Sequence, residues 1–141
     1  MHVRTPVLAG SLALLIFAGC GDDVVGNAAQ DLSGTYSLVS FALGTPAGIV
    51  QGATGAVTLT ATTYVASFTV PQLPPNPPQV VNDEGTYTAI GSATSGTWTQ
   101  QSTLDPNLQY AGTYMLDTAT GRLTLDTTTF GVRTILVLQR N

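Results

Sequence analysis

The sequence predicts an all-β protein built from antiparallel strands. Apolar and polar residues alternate with period two in Val57–Ala61, Tyr64–Val70, Tyr87–Ala89, Tyr114–Leu116 and Leu123–Leu125. That is the pattern of strands with one face in a core and one in water. Threonine is abundant throughout these segments and suits the solvated face of a strand. No stretch after residue 20 sustains a helical period. Alternation alone does not distinguish a sheet closed into a barrel from two stacked sheets.

The chain opens on a segment of another kind. Met1–Thr5 is weakly basic, with His2 and Arg4, and Val7–Ala18 is apolar. A membrane-spanning helix needs about 20 apolar residues, so the run is too short to span. It fits the middle of an export signal covering residues 1–19. Phe17-Ala18-Gly19 leads into Cys20, the single cysteine of the chain. This ending resembles the bacterial lipobox, in which small residues precede the thiol that is acylated. The resemblance implies cleavage before Cys20, lipid attachment to Cys20, and a membrane contact through that N-terminal anchor. Two or three acyl chains on one residue hold a protein stably. With Gly21 rather than an acidic residue next, the resemblance implies the outer membrane of a bacterial envelope. An ordinary signal with a chance cysteine is the alternative.

Residues 20–31 are small, polar and acidic, and read as a flexible tether. The domain is expected over residues 32–141. Eight strands are expected near 34–43, 55–61, 63–70, 84–90, 95–102, 109–117, 121–127 and 131–139. Asp117–Gly121 has the composition of a hairpin turn, with Gly121 free to take positive φ. Thr62-Thr63 is a poorer turn. In an up-and-down order the connections at 44–54, 71–83, 103–108 and 128–130 share one end. Those near 62, 91–94 and 118–120 share the other, so a loop-rich mouth faces a compact base. The tether enters at the base, which points the mouth away from the membrane.

Gly34-Thr35-Tyr36, Gly85-Thr86-Tyr87 and Gly112-Thr113-Tyr114 repeat one motif, and Gly96-Thr97-Trp98 is a variant. The intervals are unequal, which excludes a solenoid repeat. Glycine allows a bend or close approach, threonine faces water, and the aromatic faces the core. Between the third and fourth strands lies Pro71–Gln79, with prolines at 71, 74, 75, 77 and 78. So many prolines exclude a strand and favour an extended conformation. A loop stiffened against proteolysis is the preferred reading; a lid or a docking ligand is the functional one.

Composition excludes several chemistries. The chain has one histidine, His2, and no lysine. After residue 19 eight carboxylates face only Arg122, Arg133 and Arg140, leaving a net charge of about −5. No basic patch for nucleic acid is available. Without histidine, lysine or a free thiol there is no Ser-His-Asp or Cys-His catalysis and no Schiff base. Imidazole and thiolate metal sites are equally absent, so no cofactor and no metal is expected. Asp83-Glu84, adjacent carboxylates ahead of a strand, suggest carboxylate or calcium chemistry. Neighbours on a strand point to opposite faces, so Asp83, Glu84, Asp105, Asp117 and Asp126 read as solvated turn residues.

Two strands carry a family resemblance. Leu32-Ser-Gly-Thr-Tyr-Ser-Leu-Val-Ser40 is similar to the first strand of bacterial lipocalin-like lipoproteins, and Thr134–Arg140 to their last. The similarity spans most of residues 32–141. It implies a small antiparallel up-and-down β-barrel of about eight strands, with a two-sheet sandwich as the alternative. Lipocalins carry Gly-x-Trp on the first strand and an arginine at the end of the last; here Tyr36 stands in place of the tryptophan. The resemblance implies a latch in which Arg140 lies over Tyr36. Tyr36, Tyr64, Phe68, Tyr87, Trp98 and Tyr114 are expected inside, with Trp98 and Tyr64 at the base. They either fill the interior or leave a cavity, in which case Phe68, Tyr87, Tyr114 and Leu116 are the expected ligand contacts. The expected function is therefore non-catalytic. It is the binding of a small apolar or amphipathic ligand, or, with a filled barrel, of an envelope protein partner as an inhibitor or assembly factor.

Overall fold

The computed structural model of the chain describes residues 28–141. The export signal and Cys20 lie outside the described residues. In chain order the strands are β1 (Ala28–Ala29), β2 (Gly34–Leu43), β3 (Gly48–Ile49), β4 (Thr54–Leu59) and β5 (Thr63–Val70). They continue with β6 (Gln79–Gly91), β7 (Ser95–Ser102), β8 (Gln109–Asp117), β9 (Arg122–Thr129) and β10 (Val132–Arg140). Among the described residues there is no helix. β2, β4, β5, β6, β7, β8, β9 and β10 pair in sequence, all antiparallel, and β10 returns to β2. The sheet is thus a closed eight-stranded up-and-down barrel. Closure pairs every long strand on both sides and leaves no long free edge.

The two remaining strands are short additions. β1 pairs with the end of β6, Ala28 opposite Gly91 and Ala29 opposite Ile90. β5 begins only at Thr63, opposite Thr86, so the last residues of β6 have exposed ladder groups on that side. Residues 28–30 satisfy them, and Gln30 N–H donates to the Ala89 carbonyl at 2.8 Å. Within the range 20–31 read as a tether, Ala28 and Ala29 thus pair with the sheet. β3 pairs with the far end of β2, Ala42 opposite Ile49.

β6 differs most from expectation. It starts at Gln79 rather than near 84. β5 supplies a partner for the whole extension, with Val70 opposite Gln79 and Ala66 opposite Asp83. Asp83 is therefore mid-strand, and alternation turns it inward while Glu84 faces out. The reading of Asp83 as a solvated turn residue is corrected accordingly.

Inside and outside follow the alternation. Val57, Leu59, Tyr64, Ala66, Tyr87, Ala89, Trp98, Tyr114, Leu123, Leu125 and Leu138 are buried in one core. Thr35, Thr58, Thr86, Thr88, Thr97, Thr99 and Thr113 are exposed on the outer face. This polarity is the reverse of a lipid-facing barrel. β2 carries one irregularity. Val137 pairs with Ser40 and Leu138 with Leu38, so Val39 bulges out. A bulge shifts the phase of a strand by one residue. Tyr36 and Leu38 face inward before it; Phe41 and Leu43 line the interior after it.

The turns at 60–62, 92–94 and 118–121 form the base. The connections 44–53, 71–78 and 103–108, with the Phe130-Gly131 turn, form the mouth. Leu73 and Pro106 thus share one end. The mouth is uneven, because β6 runs on from Glu84 to Gln79 past the end of β7, where Ser102 pairs with Gly85. The proline segment caps that projecting β5–β6 hairpin, with Asn76 N–H donating to the Leu73 carbonyl at 3.1 Å. Close coiling of the wall depends on glycine. A Cβ on Gly85 would lie 1.9 Å from the Gln101 carbonyl oxygen, and one on Gly112 1.9 Å from that of Asp126.

Candidate functional site

The lower half of the barrel is filled. Leu32, Tyr36, Leu123 and Leu138 are at most 1% exposed. Each tyrosine of the repeated Gly-Thr-Tyr motif donates its hydroxyl to a backbone carbonyl of the base: Tyr36 to Leu32 at 2.8 Å, Tyr87 to Thr60 at 2.6 Å, and Tyr114 to Ser92. A buried phenol needs such a partner, and the turns at the base supply carbonyls that no strand ladder uses. The motif thus has a structural role: its rings plug the base, and its hydroxyls fasten the plug to two of the turns and to the segment before β2.

The latch residues meet at this end. The Arg140 guanidinium carbon lies 5.4 Å from the centroid of the Tyr36 ring, and Nη2 donates to the Ser33 carbonyl. Gly34 leaves space for the guanidinium, since a Cβ there would come within 2.9 Å of Arg140 Nε. The last residues are held rather than frayed. Arg140 N–H donates to the Gly121 carbonyl, and Asn141 N–H to that of Thr35, both at 3.0 Å.

Above this plug the barrel encloses a cavity of about 230 Å³. Trp98 forms part of its floor and stacks on Tyr87 below, with ring centroids 4.5 Å apart. One wall is apolar: Phe41, Leu43, Val57, Phe68, Leu125 and Leu136. Phe41 and Phe68 lie parallel across it, 6.3 Å apart. The facing wall, from β5 to β8, carries Tyr64, Asp83, Gln100 and Tyr110. Tyr64 donates to Asp83 Oδ2 at 2.7 Å, and Ser102 Oγ donates to Asp83 Oδ1. Trp98 Nε1 donates to Gln100 Oε1 at 2.9 Å. Burial, and then the Asp83 carboxylate that accepts its proton, hold the Tyr64 phenol far above the ordinary tyrosine range. Burial, with Asp83 nearby, also raises Tyr110. The wall is thus a fixed array of hydroxyl, amide and carboxylate beside an apolar surface.

The structure divides the residues expected to contact a ligand. Phe68 lines the cavity. Tyr87, Tyr114 and Leu116 do not; Tyr87 and Tyr114 belong to the core of the plug, and Leu116 packs against it. Conversely Trp98 and Tyr64, expected at the base, rise to line the cavity. Position along the tilted strands decides this, and the order of residues in each strand does not reveal the tilt. Asp83, Gln100 and Tyr110 were missed. Asp83 shares parity with Gly85, Tyr87 and Ala89, a signal hidden once the strand is started at 84.

Among the described residues no three His, Cys, Asp or Glu side chains gather as a metal site, and no buried side-chain polar atom lacks a partner. No protein-family model matches the sequence, and comparison with curated proteins and with solved structures gives no significant match.

Proposed function

We propose that this protein is a lipid-anchored, non-catalytic lipoprotein of the bacterial envelope. Its lipocalin-like barrel carries a small apolar or amphipathic molecule. The cavity between the plugged base and the mouth supports this reading best: it pairs an apolar wall with a few convergent polar groups, the usual make-up of a ligand site. The missing histidine, lysine and free thiol beyond residue 20 favour binding over catalysis. The full chain, isolated from its native membrane and measured by native mass spectrometry, is expected to carry a small molecule released on unfolding. A uniformly ligand-free mass, with no binding of added short-chain amphiphiles, would overturn the reading.

Anchorage rests on the apolar run, Ala18-Gly19 and the single thiol at Cys20. Metabolic labelling with a palmitate analogue is expected to mark the wild type and not Cys20→Ser; an unlabelled wild type refutes it. A second reading, an inhibitor or assembly factor that engages an envelope protein, draws on exposed apolar residues at the mouth. Leu73 is 85% and Phe130 75% exposed.

A further inference from the structure

Among the described residues Asp83 is the only charged side chain lining the cavity. A carboxylate offers about four lone-pair sites on two oxygens. Each oxygen of Asp83 accepts one hydroxyl, from Tyr64 and from Ser102, so each keeps a site free. Both partners are neutral, and among the described residues the charge has no counter-ion. The three arginines of the described residues are elsewhere. Arg133 is paired with Asp126 on the outer face, Arg140 lies over Tyr36, and Arg122 sits opposite Asp117 beside the base turn.

We infer that the cavity selects amphiphiles with a cationic head, a short alkylammonium ion, over those with an anionic one. This deepens the reading of the barrel as a ligand carrier and rests on it. An ammonium seated at Asp83 would complete the carboxylate's unused acceptor sites and neutralise its charge. Tyr64, Tyr110 and Trp98 line the same cavity, and a ring face meeting the cation would add to the attraction. The tail would run along Phe41, Phe68 and Leu136. A carboxylate ligand would instead meet a like charge within a largely apolar enclosure, where repulsion is strong. At ~30 Å³ for each water-sized group, the space holds roughly eight such groups, which matches a head and a short chain.

The test uses the full chain and three probes of equal length: octylammonium, octanol and octanoate. Trp98, the only tryptophan, reports binding by its fluorescence. Octylammonium is expected to bind at least ~10-fold more tightly than octanoate, a difference of about 1.4 kcal/mol, with octanol between. In Asp83→Asn the preference for octylammonium over octanoate should fall to within about 2-fold. Equal affinities for all three in the wild type would overturn the charge inference while leaving a ligand-binding barrel. No binding of any probe would overturn the ligand-carrier reading itself. The wild-type comparison decides the matter even where Asp83→Asn does not fold.

Discussion

At Tyr36 two interactions meet on one side chain. Its hydroxyl donates to the Leu32 carbonyl and its ring lies under the Arg140 guanidinium. Tyr36→Phe is expected to cost about 1 kcal/mol, because the buried carbonyl loses its donor. The cation–π part is smaller, since Arg140 is exposed. A cycle of Tyr36→Leu and Arg140→Ala, read by denaturant unfolding, should give a coupling of about 0.5–1 kcal/mol. A coupling within error of zero would show that the contact does not stabilise the fold. This pair was legible from the ends of two strands. The hydrogen-bond partners of Tyr87 and Tyr114 were not, because Thr60 and Ser92 belong to turns brought beneath the rings only by closure.

The β9–β10 hairpin shows what one element owes to its own residues. Its two-residue turn has φ of 49° at Phe130 and 78° at Gly131, the signature of a type I′ turn. Glycine takes that conformation freely, whereas phenylalanine does not. Phe130→Asn is expected to stabilise the protein by about 1 kcal/mol, seen as a higher denaturation midpoint with unchanged slope. Unchanged or reduced stability would mean that the exposed ring makes a compensating contact. Across the same hairpin Arg133 grips both oxygens of Asp126 and holds its carboxyl below the ordinary range. A depressed carboxyl contributes stability that is complete above the unfolded value, near ~4, and lost as pH falls through the folded one. Asp126→Asn should therefore flatten the fall in Tm below about pH 4; an unaltered acid limb would contradict the assignment. Strand identity was legible here from Leu123-Thr-Leu125 and its hairpin neighbours. The turn was placed at 128–130, one residue early at its close, because phenylalanine gives no turn signal.

On the scale of the whole barrel, closure buries phenols from several strands at once. Tyr64, Tyr87, Tyr110 and Tyr114 are all raised, burial being the first cause in each. Their un-ionised forms stabilise the fold fully below the unfolded tyrosine value, near ~10, and that stability is lost as pH rises above it. Phenolate absorbance should consequently appear together with loss of structure, in one steep transition on the alkaline side. Early titration of these rings in a still-folded protein would show that the core admits water. The sequence by itself determined the strands, most of their inward and outward faces, and the inward aim of the motif tyrosines. Those features depend on local alternation and on turn chemistry, which neighbours in the chain decide. The tertiary structure alone decided three things: the length of β6, the bulge at Val39, and the division of the interior into a plug and a cavity. β6 extends because β5 is there to pair with it, which carries Asp83 from a presumed turn into the wall. The bulge re-aims Phe41 and Leu43, and strand tilt sets which rings rise above the plug. Each depends on where a neighbouring strand lies, and that position is the outcome of ring closure over distant segments, which a period-two pattern does not encode.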